Sequence, residues 1–188
     1  NYMDNIYSQT VKLDFKDVLI KPRPSDLDSR SKASLISEIL KSKLDIETNG
    51  IIAANMDGVG TFKVAEVLKQ HGAMTALHKH YPVHDLIEFF SSPESSHSFY
   101  SMGITDDDLV KLDTFLNSVS NDKPIKICVD VANGYMLKFA DTLSNIRKKY
   151  KHLDLVVMGG NVVDGIGVRN ISSSIDIAKL GIGPGSGC

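Results

Sequence analysis

Residues 181–188, GIGPGSGC, set four glycines around one proline and end in the thiol of Cys188. Glycines let backbone N–H groups approach an anion closely, and a thiol among such groups becomes a nucleophile once ionised. The same string also fits a tight turn with a buried cysteine, because a free Cys commonly behaves as a small hydrophobe. His78 and His80 stand two residues apart, which on a strand would turn both rings to one side and suit a pair of metal ligands. Lys79 between them would bring a cation to that metal, so the favoured reading is that these polar groups orient one another at a strand end. Asp130 ends the apolar run KICVD and reads either as a carboxylate capping a neighbouring loop or as a functional group. Asp106 to Asp108 read as the acidic first turn of a helix.

The elements that must position these residues are a series of short apolar runs. They begin near residues 51, 74, 97, 126, 153 and 175, that is, 22 to 29 residues apart, the length of one strand, one crossover helix and two short loops. Between them, Thr61 caps the helical string FKVAEVLKQHG, residues 81–92 fit a shorter helix, Thr105 caps DDDLVKLDTFLNSVS, and YMLKFADTLSNIRKKY ends in a basic turn. VDGIGVRNISSS, with two glycines and three serines, is a poor helix by propensity. Residues 1–50 read as an N-terminal extension with a strand-like VKLDF, a polar loop PRPSDLDSRS, and LISEILKSKLDI of undecided type.

Near-continuous apolar strands in a regular βα array imply parallel strands covered by helices, either an open doubly wound sheet or a closed (β/α)8 TIM barrel. The glycine-rich turns follow the fifth and sixth strands rather than the first, which favours the barrel. Residues 51–188 then supply about six βα units of a single domain, and two more are expected beyond Cys188. In a barrel, chemistry sits at the C-terminal strand ends, where Asn55 to Asp57, His78 to His80, Asp130 to Asn133, Gly159 to Asn161 and Gly181 to Cys188 all fall.

The 188 residues, 42% hydrophobic and 23% charged, suffice for one sizeable core. Twenty-one Lys and Arg against 23 Asp and Glu give a net charge of −2, which argues against electrostatic capture of nucleic acid or of an anionic membrane. No run approaches the roughly 18 apolar residues of a spanning helix, and no signal peptide is expected. Cys128 and Cys188 lie 60 residues apart in unlike settings, which fits a reduced, cytoplasmic protein better than a disulfide scaffold.

VKLDFKDVLIKP, SRS at Ser29 to Ser31, IIAANMDGVGTF, TALHKHY, ICVDVANGY, GGNVV and GIGPGSGC occur in the order and spacing of the GMP reductase family, which the chain resembles over nearly its whole length. The sister IMP dehydrogenases share the barrel and the cysteine loop, but HKHY and DVANGY resemble the reductase strings. The resemblance implies a reductive deamination in which GMP and NADPH give IMP, ammonia and NADP. Cys188 would attack the purine C2 carbon, and the resulting covalent thioimidate would be reduced. It further implies that Ser29, Arg30, Lys79, Asp130, Val131, Ala132, Ile182 and Gly183 reach the cofactor, and that Ser186 and Met56 reach the purine nucleotide. A potassium ion would rest on carbonyls of Gly183, Gly185 and Cys188, and the subunits would form a homotetramer.

The family's proton-transferring threonine, a later glutamate and most purine contacts fall past Cys188. Gly187 stands where a larger apolar residue is usual, Gly58 replaces a common threonine, and the weak helix after Gly159 also departs. The competing readings are an IMP dehydrogenase-like oxidoreductase, a shortened non-catalytic nucleotide-binding homologue, and a metal-dependent hydrolase built on His78 and His80.

Overall fold

The computed structural model describes residues 15–182. The described residues divide into two compact units, one reaching to Ala33, the other Ser34–Ile182. In the first, short 3-10 turns form at Phe15–Asp17 and Arg30–Lys32. Ser29 caps the second turn by accepting a hydrogen bond from the Ser31 N–H at 3.3 Å. Residues 11–14 of the strand-like VKLDF lie outside the described residues.

The larger unit alternates strands and helices. After α1 (Glu38–Leu44) come β1 (Ile52–Ala53), α2 (Phe62–Lys69), β2 (Met74–Ala76), α3 (Val83–Phe90), β3 (Ser98–Met102) and α4 (Asp106–Leu116). Then follow β4 (Ile125–Asp130), α5 (Leu137–Lys149), β5 (Leu155–Val162), α6 (Gly165–Ile171) and β6 (Ile177–Leu180). The six strands pair in sequence order and every pair is parallel. Parallel neighbours need a crossover between them, and here each crossover holds a helix. The result is a curled six-strand portion of a (β/α)8 barrel.

Alternation along the strands divides the core in two. On the helix side, Tyr100, Ile127, Val129, Leu155 and Val157 pack with Leu112, Phe115, Phe139 and Leu143. On the concave side, Met74, Ala76, Phe99, Cys128, Val156 and Met158 form a second cluster. Leu44 of α1, 1% exposed, joins that concave cluster. The undecided segment LISEILKSKLDI is thus a helix, capped by the Ser37 side chain on the Leu40 N–H, with its last residue anchored in the core.

Local chemistry sets the other helix starts. Thr61 accepts from the Val64 N–H, and Thr105 forms a reciprocal capping box with Asp108. The poor helix former VDGIGVRNISSS does fold, as α6, because two contacts outweigh propensity. Asp164 accepts from the Gly167 N–H at 2.8 Å, and the Tyr135 ring occupies the space where a Cβ on Gly167 would sit, 2.8 Å away. A glycine there is a packing requirement.

Candidate active site at the C-terminal strand ends

The centre of the site is a carboxylate. Asp130, the last residue of β4, accepts a hydrogen bond from Asn55 Nδ2 at 2.8 Å on one oxygen and pairs with Lys179 Nζ at 2.8 Å on the other. Asn55 follows β1, and Lys179 lies within β6. The three side chains come from strands that do not pair with one another, so they meet across the concave face. The side chains of Asp130 and Lys179 remain 25% and 31% exposed, open to a ligand from above. A buried carboxylate would need both oxygens satisfied internally, whereas this one keeps spare lone pairs for a polar ligand.

The segment after β4 is zipped to the end of β5. The Val131 N–H donates to the Gly160 carbonyl, the Asn161 N–H to the Val131 carbonyl, and the Gly134 N–H to the Asn161 carbonyl, all within 2.9 Å. A Cβ on Gly134 would stand 2.6 Å from that same carbonyl oxygen, so the DVANGY turn needs its glycine for close approach. Tyr135 adds a second tie, its hydroxyl donating to Asp164 at 2.9 Å while accepting from the Val163 N–H. Asn161 Oδ1 is buried and has no hydrogen-bond partner among the described residues.

The segment after β2 is held from below. Lys111 of α4 donates to the Lys79 carbonyl at 2.9 Å and the Tyr81 carbonyl at 2.6 Å. Burial lowers its pKa, partly opposed by Asp108. β2 ends at Ala76, so His78 and His80 lie past the strand rather than on it, which corrects the expected placement. Their rings are 5.9 Å apart, and the His80 N–H donates to His78 Nδ1. His78 stacks on Tyr81 at 4.1 Å, and Tyr81 on Phe62 at 3.8 Å. Burial, with His80 and Lys111 nearby, lowers the His78 pKa despite the opposing pull of Asp57. His80 approaches Asp57 at 3.4 Å. No group of three or more His, Cys, Asp or Glu residues suited to a metal ion occurs among the described residues.

Of the residues singled out from sequence, Lys79 and Met56 are exposed in the loops after β2 and β1, and Asp130, Val131 and Ala132 follow one another at the end of β4. Ile182 is exposed just past β6. Ser29 and Arg30 belong to the other compact unit. Gly183, Gly185, Ser186 and Cys188 lie outside the described residues. Sequence reasoning missed Lys179 and Lys111. Lys179 had a readable signal, a lone cation inside the strand IDIAKL at the register that faces the carboxylate. Lys111 had none, because a lysine on a surface helix looks like any solvated one. Cys128 is fully buried, and burial, with a contribution from Asp130, pushes its thiol up to about 12, so it is a core residue and not a nucleophile.

Residues 100–188 match the IMP dehydrogenase / GMP reductase domain. A GMP reductase of Buchnera aphidicola subsp. Baizongia pistaciae is 44% identical over 186 residues, covering 96% of this chain and 52% of that protein. A GMP reductase of Caenorhabditis elegans is 42% identical over 184 residues, covering 94% of this chain and 50% of that protein. Among solved structures, an inosine 5'-monophosphate dehydrogenase from Legionella pneumophila superposes with a TM-score of 0.72 at 28% identity, covering 91% of this chain and 51% of that one. The chain spans about half the length of the curated relatives it matches. With six parallel strands in barrel order and polar side chains gathered at their C-terminal ends, this chain is similar along almost all of its length to proteins of the IMP dehydrogenase / GMP reductase family.

Proposed function

We propose that the protein carrying these residues catalyses the NADPH-dependent reductive deamination of GMP to IMP and ammonia. The observation that carries this reading is the 40–44% identity to proteins named GMP reductase across 96% of the chain. The solved dehydrogenase, which favours the sister reaction, aligns at 28%.

In this reading the Cys188 thiolate adds to C2 of the purine, forming the S–C2 bond. The C2 amino group then takes a proton and leaves as ammonia, and a thioimidate remains on the enzyme. NADPH supplies the hydride that replaces the lost amine at C2. Expulsion of the thiolate then breaks the S–C2 bond and releases IMP. The residues at the described end of the site suit that cofactor's chemistry. Lys79 offers a mobile ammonium to a phosphate. Asp130, fixed by Asn55 and Lys179, offers a preorganised acceptor. Ser29 and Arg30, Val131 and Ala132, and Ile182 with Gly183 are assigned to the same cofactor, and Met56 with Ser186 to the nucleotide. Carbonyls of Gly183, Gly185 and Cys188 are assigned to a potassium ion.

The test is to express the whole reading frame that carries these residues and incubate it with GMP and NADPH, or with IMP and NAD. Loss of NADPH absorbance with release of ammonium supports the reductase. A gain of absorbance with IMP and NAD selects the dehydrogenase, and binding of GMP without turnover selects a non-catalytic homologue.

A further inference from the structure

A groove of about 550 Å³ opens at the N-terminal ends of β3 and β4, bounded by the end of α1, the end of α3 and the segment after α4. Lys126 and Asp130 share one face of β4, four residues apart, so this groove lies roughly 13 Å along the strand from the candidate active site. Its lining sets Leu44, Ile46, Phe90, Val119 and Ile125 beside four serines, three lysines and two aspartates. That size, with apolar residues and polar groups on one lining, suits a small amphipathic molecule.

Lys126 is the unusual member of the lining. It is only 6% exposed, and an ammonium has three hydrogens to donate. Among the described residues its one hydrogen bond is to the Pro124 carbonyl, at 3.4 Å, and no carboxylate forms an ion pair with it. The charged groups around it are Asp45 and Asp154, which favour the ammonium, and Lys123, which opposes it. Burial pushes its pKa down to about 8, so the side chain still carries its charge at neutral pH. Several neighbouring polar groups are already engaged. Ser95 donates to the Ser92 carbonyl, Ser120 to Asp122, and Lys69 to the Pro93 carbonyl. A buried charge without a partner is costly, and here its spare donors border an open groove.

We propose that this groove is a second small-molecule site, in which Lys126 takes the head group of a small amphipathic monoanion of the carboxylate class. The Lys126 ammonium is a point charge that matches one carboxylate, and Leu44, Ile46, Phe90, Val119 and Ile125 match an alkyl or aryl tail. Asp45 and Asp122 offset Lys69 and Lys123 in the lining, which leaves the charge of Lys126 to match a monoanion better than a dianion such as a phosphate monoester. The site stands independently of the reaction assigned to the other end of the strands.

The probe is sodium octanoate, titrated calorimetrically into the protein expressed from the whole reading frame, with octan-1-ol as the uncharged control. Saturable binding of octanoate is expected, together with weaker binding of the alcohol. Octanoate should bind roughly tenfold more weakly to Lys126→Met, whose thermal melt is recorded alongside to establish that it folds. Octanoate affinity in the unaltered protein should also fall as pH rises through about 8, because the ligand stays ionised while the amine loses its proton. That arm and the alcohol control decide the matter should Lys126→Met fail to fold. Absence of saturable binding, equal binding by Lys126→Met, or an affinity unchanged across the alkaline range would overturn the proposal.

Discussion

Asn55 Nδ2 lies 2.8 Å from the Asp130 carboxylate although the strands they follow, β1 and β4, are separated by two others. Neighbouring strands stand about 4.8 Å apart, so in a flat sheet these side chains would begin roughly 14 Å from one another. The contact exists only because the sheet curls. Lys179 makes the same point from the other direction, since β6 reaches the same carboxylate past β5. The polar centre is therefore a product of the curvature, and its integrity reports on that curvature.

A double-mutant cycle should detect this convergence. Asn55→Ala and Asp130→Ala are expected to be non-additive in stability by about 1 kcal/mol, as residues in contact usually are. Additivity in chemical denaturation would show that the two groups do not meet in solution. Under the proposed reaction, Asp130→Ala should also raise the KM for NADPH by roughly tenfold, a loss of the order of a single charge-assisted hydrogen bond.

Asp176 ties three elements together. Its carboxylate pairs with Lys43 of α1 at 2.6 Å, pairs with Arg147 of α5, and accepts from the Val157 N–H of β5 at 2.8 Å. Burial pushes its pKa up, but Lys43, the Val157 N–H and Arg147 outweigh burial and hold it below the ordinary carboxylate value. A group depressed on folding contributes stability that is complete above its unfolded pKa, near 3.9, and is lost as pH falls through the lower folded value. Asp176→Asn should cost about 2 kcal/mol near neutral pH, the scale of a partly buried, hydrogen-bonded pair. The stability gap between the two proteins should close as pH falls through and below the ordinary carboxylate range. A gap unchanged by acidification would remove the ion pairs as its cause.

How much of this was legible in the sequence depends on range. The strand starts were readable because apolar runs and glycine turns are local signals, and all six strands begin within about two residues of the expected positions. Thr61 and Thr105 were readable as caps for the same reason. His78 and His80 were misplaced because β2 is only three residues long, and periodicity does not reveal where pairing stops. The α6 segment was undervalued because its stability comes from Tyr135, about 30 residues away, and no propensity scale contains that ring. Asp130 was found as a strand-end carboxylate, but its partners sit 75 and 49 residues away, a distance that only the barrel's curvature closes.

Helix α6 offers a test of that account. Asp164 caps it through the Gly167 N–H, and this bond, together with the Tyr135 hydroxyl, holds the Asp164 carboxyl below the ordinary carboxylate range. Asp164→Ala should lower the melting temperature and speed amide exchange across Gly165–Ile171, while leaving α5 protected. Tyr135→Phe should act in the same direction and more weakly, since it keeps the ring against Gly167 and loses only the hydroxyl. Acidification below the ordinary carboxylate range should reproduce the Asp164→Ala effect in the unaltered protein, because a protonated cap is a weaker acceptor. Unchanged exchange across α6 in Asp164→Ala would show that something other than this cap holds the helix.

The two thiols should behave as opposites. Cys128 lies in the concave cluster with Met74, Phe99 and Met158, and with its thiol pushed up to about 12 it presents almost no thiolate near neutral pH. Iodoacetamide should therefore leave Cys128 unlabelled in the native protein and label it only after denaturation. Cys128→Ser should lower stability by about 1–2 kcal/mol, the cost of a hydroxyl in an apolar setting, and leave the chemical step intact. Under the proposed reaction Cys188→Ser should abolish turnover while GMP still binds, because a serine hydroxyl without an adjacent base is a far weaker nucleophile. Mass spectrometry after a denaturing quench of enzyme with GMP, without NADPH, should place any purine adduct on Cys188. Labelling of Cys128 in the native state would contradict its place in the core, whereas turnover by Cys188→Ser would remove the covalent step and leave the fold untouched.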